Sequence, residues 1–367
     1  MLAIDSRAGT LFDALALVSR ASSSRDLIPA LTGVLLEGDG KALTLTATDL
    51  EFGLRTHIPV SVTSEGKALV PAKALLELLR RVPPGDGVAL KIIEGRAAIR
   101  FRKSRFDLPT FPVQDFPQVN FESEGPTVVL QTTALREALG RVSYASAQRD
   151  DSLPVLLGIK ISFSPDGKVE CCASDNFRLA WSRTTADTQK EKRELVVRGR
   201  ALSELVRLLD EDEVKIVIGE RQLSFRTGRM EAFTALVEGQ FPDHTKLVRD
   251  AYQTTVRFAV EDLLAAADRA SLVADPKSPQ VVLKMDPNGL SVSSGSVDTG
   301  SSFEEVEAEV EGEPLEITFN PKFLTDALKN SGVERAEIGF NGPLSAARMK
   351  PTDRDDLLAL LLPIRRM

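Results

Sequence analysis

A chain of 367 residues that is 43% hydrophobic and 27% charged has the composition of a soluble globular protein with two or three domains. No apolar run approaches the roughly 18 residues of a membrane helix, and the opening MLAIDSRAGTLFDAL lacks the basic and apolar regions of a signal peptide; a cytoplasmic protein with no membrane partner is expected. The net charge of −7 argues against a protein that grips nucleic acid over its whole surface, but leaves room for a local basic face.

From the N-terminus, residues 10–21 carry a helical pattern, and SSSRDLIP (22–29) is a loop with a cation and a proline. In LTGVLLEGDGKALTLTATD (31–49), Leu43, Leu45 and Ala47 alternate with Thr44, Thr46 and Thr48 beside a Gly-Asp-Gly turn, which predicts a hairpin. VPAKALLELLRRV (70–82) puts Leu75, Leu76, Leu78, Leu79 and Val82 on one side of a helix and Lys73 and Arg80 on another. More strand leads to LPTFPVQDFP (108–117).

The same order then returns with a period of about 125 residues, too long for a solenoid and suited to three copies of a domain. The second copy has a helix over 132–145, the loop SAQRDDSLP (146–154), strands turning at Pro-Asp-Gly, the helix VRGRALSELVRLL (197–209) and the ending FTALVEGQFP (233–242). The third has a helix over 260–273, the loop ADPKSP (274–279), strands turning at Pro-Asn-Gly, the helix FNPKFLTDALKNS (319–331) and the ending LLALLLPIRRM (357–367). The proline-bearing QDFPQV and QFPDH stretches are linker candidates and set domains at 1–124, 125–251 and 252–367. The only cysteines, Cys171 and Cys172, are strand neighbours facing opposite ways, so two buried thiols are expected rather than a disulfide.

Two helices per copy packed on antiparallel sheet give an α+β fold. Each helix pair carries cations in register. Arg25, Arg149 and Lys277 match in the loops, Lys73, Arg200 and Lys322 early in the second helix, and Arg80, Arg207 and Lys329 late in it. Arg141 and Arg269 lie on the opening helices. Cations kept at equivalent positions in an acidic chain point to a face for the phosphates of a polyanion. With aromatics at 5%, contact should be to the backbone without base readout.

Catalysis is the main competing class. His57 and His244 are the only histidines and have no metal-ligand spacing. No phosphate-loop or nucleophile-elbow motif is present. Asp353, Asp355 and Asp356 read as a solvated loop before the last strand. No enzyme activity, metal or cofactor is expected. The other competitor, a protein-interaction scaffold that never meets DNA, predicts uncorrelated charge on the equivalent helices. Finally, RAAIRFRKSR (96–105) is strongly basic and FEEVEAEVEGE (303–313) strongly acidic. Both fit edge strands charged against unwanted pairing.

TATDLE (46–51), VPAKALLELLRRVP (70–83), SRFDLPTFPVQDFP (104–117), ASDNFRLA (173–180), GQFPD (239–243), NPKFLTDAL (320–328) and LPIRR (362–366) together resemble the bacterial DNA polymerase III beta subunit, the sliding clamp, over the whole chain. The resemblance implies three tandem clamp domains and a head-to-tail homodimeric ring of six domains around double-stranded DNA. It implies a processivity factor tethering replicative polymerase, clamp loader and repair proteins through short linear motifs. It also joins domain one of one chain to domain three of the next, with Lys103 and Arg105 near Glu304, Glu305 or Glu307, and Phe106 and Leu108 near Leu272 and Val273. The implied peptide groove takes Leu156, Ser174, Asn176, Phe177, Arg178 and Leu179 from domain two, and Pro242, Lys246 and Leu247 from the linker region. Leu360, Leu362, Pro363, Ile364 and Arg365 complete it from the C-terminal end. Asn176 and Phe177 stand where the family usually has Gly and His, and the chain ends Arg365-Arg366-Met367 where a typical member ends in Arg-Leu.

Overall fold

The computed structural model describes residues 1–23, 27–148, 153–187, 192–243, 247–249 and 251–365. The first repeat runs β1 (Leu2–Arg7), α1 (Ala8–Val18), β2 (Gly33–Asp39), β3 (Ala42–Thr48), β4 (Phe52–Pro59), β5 (Ser61–Ser64), β6 (Gly66–Pro71), α2 (Ala72–Leu79), β7 (Gly87–Ile93), β8 (Arg96–Phe101) and β9 (Ser104–Pro109). The second runs β10 (Thr127–Gln131), α3 (Thr132–Ser143), β11 (Gly158–Phe163), β12 (Lys168–Ser174), β13 (Arg178–Thr185), β14 (Arg193–Arg198), α4 (Gly199–Leu208), β15 (Glu213–Ile218), β16 (Gln222–Arg226) and β17 (Met230–Ala235). The third runs β18 (Thr254–Ala259), α5 (Val260–Ser271), β19 (Val281–Asp286), β20 (Gly289–Ser296), β21 (Gly300–Val306), β22 (Ala308–Gly312), β23 (Leu315–Phe319), α6 (Pro321–Lys329), β24 (Arg335–Phe340), β25 (Ala347–Pro351) and β26 (Leu357–Leu361).

Each copy therefore opens on a strand and not on its helix, a correction to the sequence reading. β1, β10 and β18 are only five or six residues long and run straight into the helix, so their alternation is too brief to stand out from the longer helical period. The helices themselves follow the expected faces. Leu75 and Leu79 on α2, Leu202 and Val206 on α4, and Leu324 and Leu328 on α6 are buried at matching positions. α6 starts cleanly because the Asn320 side chain accepts from the Lys322 N–H at 2.9 Å and Pro321 takes the first turn.

The chain folds as two compact units: residues 1–132 with 204–236, and residues 133–203 with 237–367. The central repeat contributes to both. The first unit holds a five-stranded sheet, β5-β1-β7-β8-β9, and an eight-stranded sheet, β10-β15-β16-β17-β4-β3-β2-β6. The second holds a nine-stranded sheet, β14-β11-β12-β13-β26-β25-β24-β18-β22, and a four-stranded sheet, β21-β20-β19-β23.

Two ladders join strands of successive repeats. β17 pairs antiparallel with β4, from Met230 opposite Thr56 to Thr234 opposite Phe52. β26 pairs in the same way with β13, from Leu357 opposite Ser182 to Leu361 opposite Arg178. Gly53 has no side chain because the ring of its cross-strand partner Phe233 fills the space, 2.1 Å from where a Cβ would sit.

Cys171 and Cys172 on β12 are both free and buried. Burial pushes the Cys171 thiol up to about 12, and Cys172 is also raised by burial. Thiolate is the reactive form, so a thiol reagent at pH 8 should label the native protein hardly at all and label both cysteines once denaturant opens it. Rapid labelling without denaturant would contradict the packing of β12.

Candidate functional site

Of the described cations singled out by the repeat, all but Arg141 are exposed. Lys73, Arg80, Arg200 and Lys277 make no ion pair with a described residue. The others sit beside acids: Arg207 with Glu204 at 3.2 Å, Lys322 with Asp326 at 3.1 Å, Lys329 with Asp268 at 3.6 Å, and Arg269 with Glu304. Such exposed pairs exchange readily with solvent and anions. Arg141 differs. Its side chain is only 13% exposed and is held by Glu137 and Asp356, both at 3.3 Å, so it offers little charge to an outside anion. Arg25 and Arg149 lie outside the described residues. Of the acidic cluster before the last strand, Asp355 pairs with Arg183 and Asp356 with Arg141 and Arg354.

The basic and acidic stretches both reach a sheet edge. β9 is the outermost strand of the five-stranded sheet, and β21 is the outermost strand of the four-stranded sheet. β9 presents Arg105, Phe106 and Leu108, with Lys103 in the turn before it. Arg105 is paired along its own strand with Asp107 at 3.0 Å, and the half-exposed Phe106 ring stacks on Phe101 at 5.8 Å. β21 presents Glu304 and Glu305, with Glu307 just beyond. Near the end of α5, Leu272 is 79% exposed and Val273 is half-buried. Arg269 claims Glu304 within the chain, a pairing that the sequence reading, with Glu304 facing Lys103 or Arg105, did not include.

A cavity of about 700 Å³ lies in the second unit. Ser174, Asn176, Phe177, Arg178, Leu179, Leu247, Leu360 and Leu362 line it, joined by Arg249, Ala251, Gln253, Asn341, Ser345 and Ala346, which the sequence did not single out. Its rim is shaped by the turn between β12 and β13. Ser174 Oγ donates to the Arg178 carbonyl at 2.9 Å, and Asp175 Oδ1 accepts from the N–H groups of Phe177 and Arg178 at 3.1 and 3.0 Å. Asn176 sits at φ 73°, which its side chain tolerates better than most.

The first repeat builds the same turn: Thr48 Oγ1 donates to Phe52, and Asp49 accepts from Glu51 and Phe52. There Leu50 occupies the left-handed position at φ 78°. On the other side of the cavity, the Asn341 amide donates to the Ala251 carbonyl at 3.1 Å and its oxygen accepts from the Gln253 N–H at 3.0 Å. This fastens the linker to the β24–β25 turn.

Five residues of the sequence-derived groove do not line this cavity. Leu156 is fully buried beneath it, in a cluster with Leu179 and Leu360. Pro242 is exposed elsewhere. Pro363, Ile364 and Arg365 fall away because β26 ends at Leu361, and only the Leu362 N–H beyond it still donates to the Phe177 carbonyl, at 2.9 Å. The Ile364 N–H then donates to the Thr318 carbonyl at 2.8 Å. Lys246 lies outside the described residues. Leu360 is nearly buried, while Leu362 and Phe177 are 43% and 61% exposed, so the wall is apolar and open. Among the described residues no acid, cysteine or histidine cluster could hold a metal, and no helix is long and apolar enough to cross a membrane.

A threefold repeat whose sheets run on from one copy to the next defines a class of multidomain β-rich proteins with helices carried on the sheets. Three models match in tandem: "DNA polymerase III beta subunit, N-terminal domain" over residues 5–120, "central domain" over 129–243 and "C-terminal domain" over 246–365. The chain belongs to the DNA polymerase III beta subunit family. It is 30% identical to the beta sliding clamp of Staphylococcus epidermidis over 359 residues, covering 94% of each chain. It superimposes on the Bacillus subtilis sliding clamp with a TM-score of 0.93 at 26% identity, covering all of both chains. A sliding clamp from Pseudomonas aeruginosa bound to griselimycin gives a TM-score of 0.91 at 28% identity, again over both whole chains.

Proposed function

We infer that this protein is a DNA sliding clamp: a closed ring of two chains, joined head to tail, that encircles duplex DNA without reading its sequence. It tethers polymerase, clamp loader and repair proteins by short peptide motifs and does no chemistry of its own. One observation carries the reading. The last strand of the second repeat completes the sheet of the first at β17–β4, and the last strand of the third completes the sheet of the second at β26–β13. By the same rule the last strand of the first repeat, β9, should complete the sheet of a third repeat at β21, and both strands are free edges. A second copy of the chain satisfies both edges at once, and a heterologous contact repeated by rotation closes into a ring. The family membership and the likeness to clamp structures support the same conclusion.

The cations Lys73, Arg80, Arg200, Arg207, Lys277, Lys322 and Lys329 are proposed to face the enclosed DNA. Each would make weak phosphate contacts, and closure of the ring rather than affinity would hold the protein in place. This reconciles a chain of net charge −7 with work on a polyanion. The peptide groove is the cavity walled by Phe177, Leu179, Leu360 and Leu362: apolar side chains supply affinity, and Asn341, Gln253 and Arg249 supply orientation.

The decisive experiment measures mass in solution and retention on nicked circular DNA after loading by a clamp loader. A dimer that stays on circles and slides off when they are linearised is expected. A concentration-independent monomer sinks the reading. Replacing Lys73, Arg80, Arg200 and Arg207 together by Gln should slow loading and lower the salt slope of DNA binding by up to about one unit per lost phosphate contact. The melting temperature should hold, because exposed substitutions usually change stability by less than about 0.5 kcal/mol each. An unchanged salt slope would remove these residues from the DNA face.

A further inference from the structure

The guanidinium of Arg178 is the most buried charge at the groove, with its side chain 6% exposed. It is held on three sides. Nε donates to Asp175 in the groove turn at 2.9 Å, Nη1 donates to Asp326 Oδ2 on α6 at 2.6 Å, and the group lies 4.6 Å from the centre of the Phe323 ring. Phe323, also on α6, stacks in turn against Phe177 at 6.2 Å with the rings 24° apart. The exposed wall of the groove is thus seated on α6 by one ion pair and one aromatic contact, side by side. The Asp326 oxygen that accepts from Arg178 also accepts from Lys322 Nζ at 3.1 Å, and Lys322 is 71% exposed on the outer side of the same helix.

We propose that Asp326 is a positioning residue for the peptide groove and couples it to the anion-facing side of α6. One carboxylate oxygen serves two cations, one buried and one at the surface. When a phosphate draws Lys322 away, the full charge of Asp326 falls on Arg178, and in a shielded site that strengthens the pair. The turn carrying Phe177 is then held more firmly in the form that already lines an open cavity. A contact that favours one form of the groove raises its affinity for anything binding that form, and the effect is reciprocal. DNA in contact with Lys322 therefore tightens peptide capture, and a captured peptide tightens the DNA contact. The inference rests on the groove and DNA-facing readings above.

The test uses the full-length dimer, a fluorescent peptide with Gln and Leu-Phe anchors, and a short linear duplex at low salt, with labelled duplex confirming that DNA is bound. In the unmodified chain the duplex should tighten peptide binding by about threefold. Asp326→Asn should weaken the peptide by about tenfold and abolish the response to duplex. Lys322→Gln, a change at an exposed position that leaves the fold intact, should bind peptide about twofold tighter without DNA and no longer respond to it. A purely structural role for Asp326 would not move the Lys322→Gln result. Peptide affinity that ignores bound duplex in the unmodified chain overturns the coupling, as does a folded Asp326→Asn protein with unchanged peptide affinity. If the unmodified chain fails to bind the peptide at all, the groove reading falls and this inference falls with it.

Discussion

A chain ending at Leu361 should lose capture of the Gln- and Leu-Phe-containing peptide by at least a hundredfold while remaining a dimer. The cut removes Leu362, an exposed apolar wall of the cavity, together with its N–H bond to the Phe177 carbonyl. It also removes the Ile364 anchor on Thr318, so the segment beyond β26 no longer braces the turn. β26 itself, from Leu357 to Leu361, keeps its ladder to β13, and both proposed dimer edges lie elsewhere. Fluorescence anisotropy gives the affinity and sedimentation gives the mass. A truncated dimer that binds as tightly as the full chain would show that the groove is somewhere else. The milder Leu362→Ala should lie between the two, since about 1.4 kcal/mol corresponds to a tenfold change.

Reversing Lys103 and Arg105 to Glu should turn the dimer into monomers at low micromolar concentration. The two new glutamates would then face the acids of β21 across the β9–β21 contact, and like charges directly opposite on paired strands repel. Arg105 now spends its charge on Asp107 and Glu304 on Arg269, so association would have to exchange partners rather than simply add a bond. Most of the holding energy would then come from Phe106, Leu108, Leu272 and Val273, with charge setting register and encounter rate. Leu272, 79% exposed in the single chain, is the side chain with most to gain. A weakening of at least a hundredfold, roughly 2.7 kcal/mol, is the expected size. A doubly reversed chain that stays dimeric would place the interface on another surface.

The parts of this molecule that could be read in the sequence are those with short-range causes. The amphipathic helices α2, α4 and α6 came from the spacing of Leu75 and Leu79 and their counterparts. The hairpin turns came from Gly-Asp-Gly, Pro-Asp-Gly and Pro-Asn-Gly, and both cysteines proved buried as their strand position implied. The ladders β17–β4 and β26–β13 were not legible, because nothing in a strand names a partner about 175 residues away in sequence.

The lining of the cavity was half legible. The 174–179 turn and Leu360 carry recognisable motifs, whereas Asn341, Ser345 and Ala346 look like any polar turn until Asn341 is seen bridging Ala251 and Gln253. The end of the chain misled in a specific way. The strand ends at Leu361, before Pro363 is reached, and the residues after the proline are drawn toward Thr318 and away from the cavity. The charge pairs of Arg141 and Arg269 were also hidden, since their partners Asp356 and Glu304 come from distant segments.

The two inter-repeat ladders should make the unit of melting larger than the unit of repetition. Cutting the gene near residue 124 would isolate one complete repeat on paper, yet it would leave the Phe52–Thr56 edge of β4 with no strand beside it. Cutting again near 251 would strip β13 in the same way. Bare, paired-length edges of this kind invite other chains, so single repeats should come out of expression as aggregates rather than as small stable domains. Heating the intact chain should show fewer cooperative transitions than its three repeats would suggest.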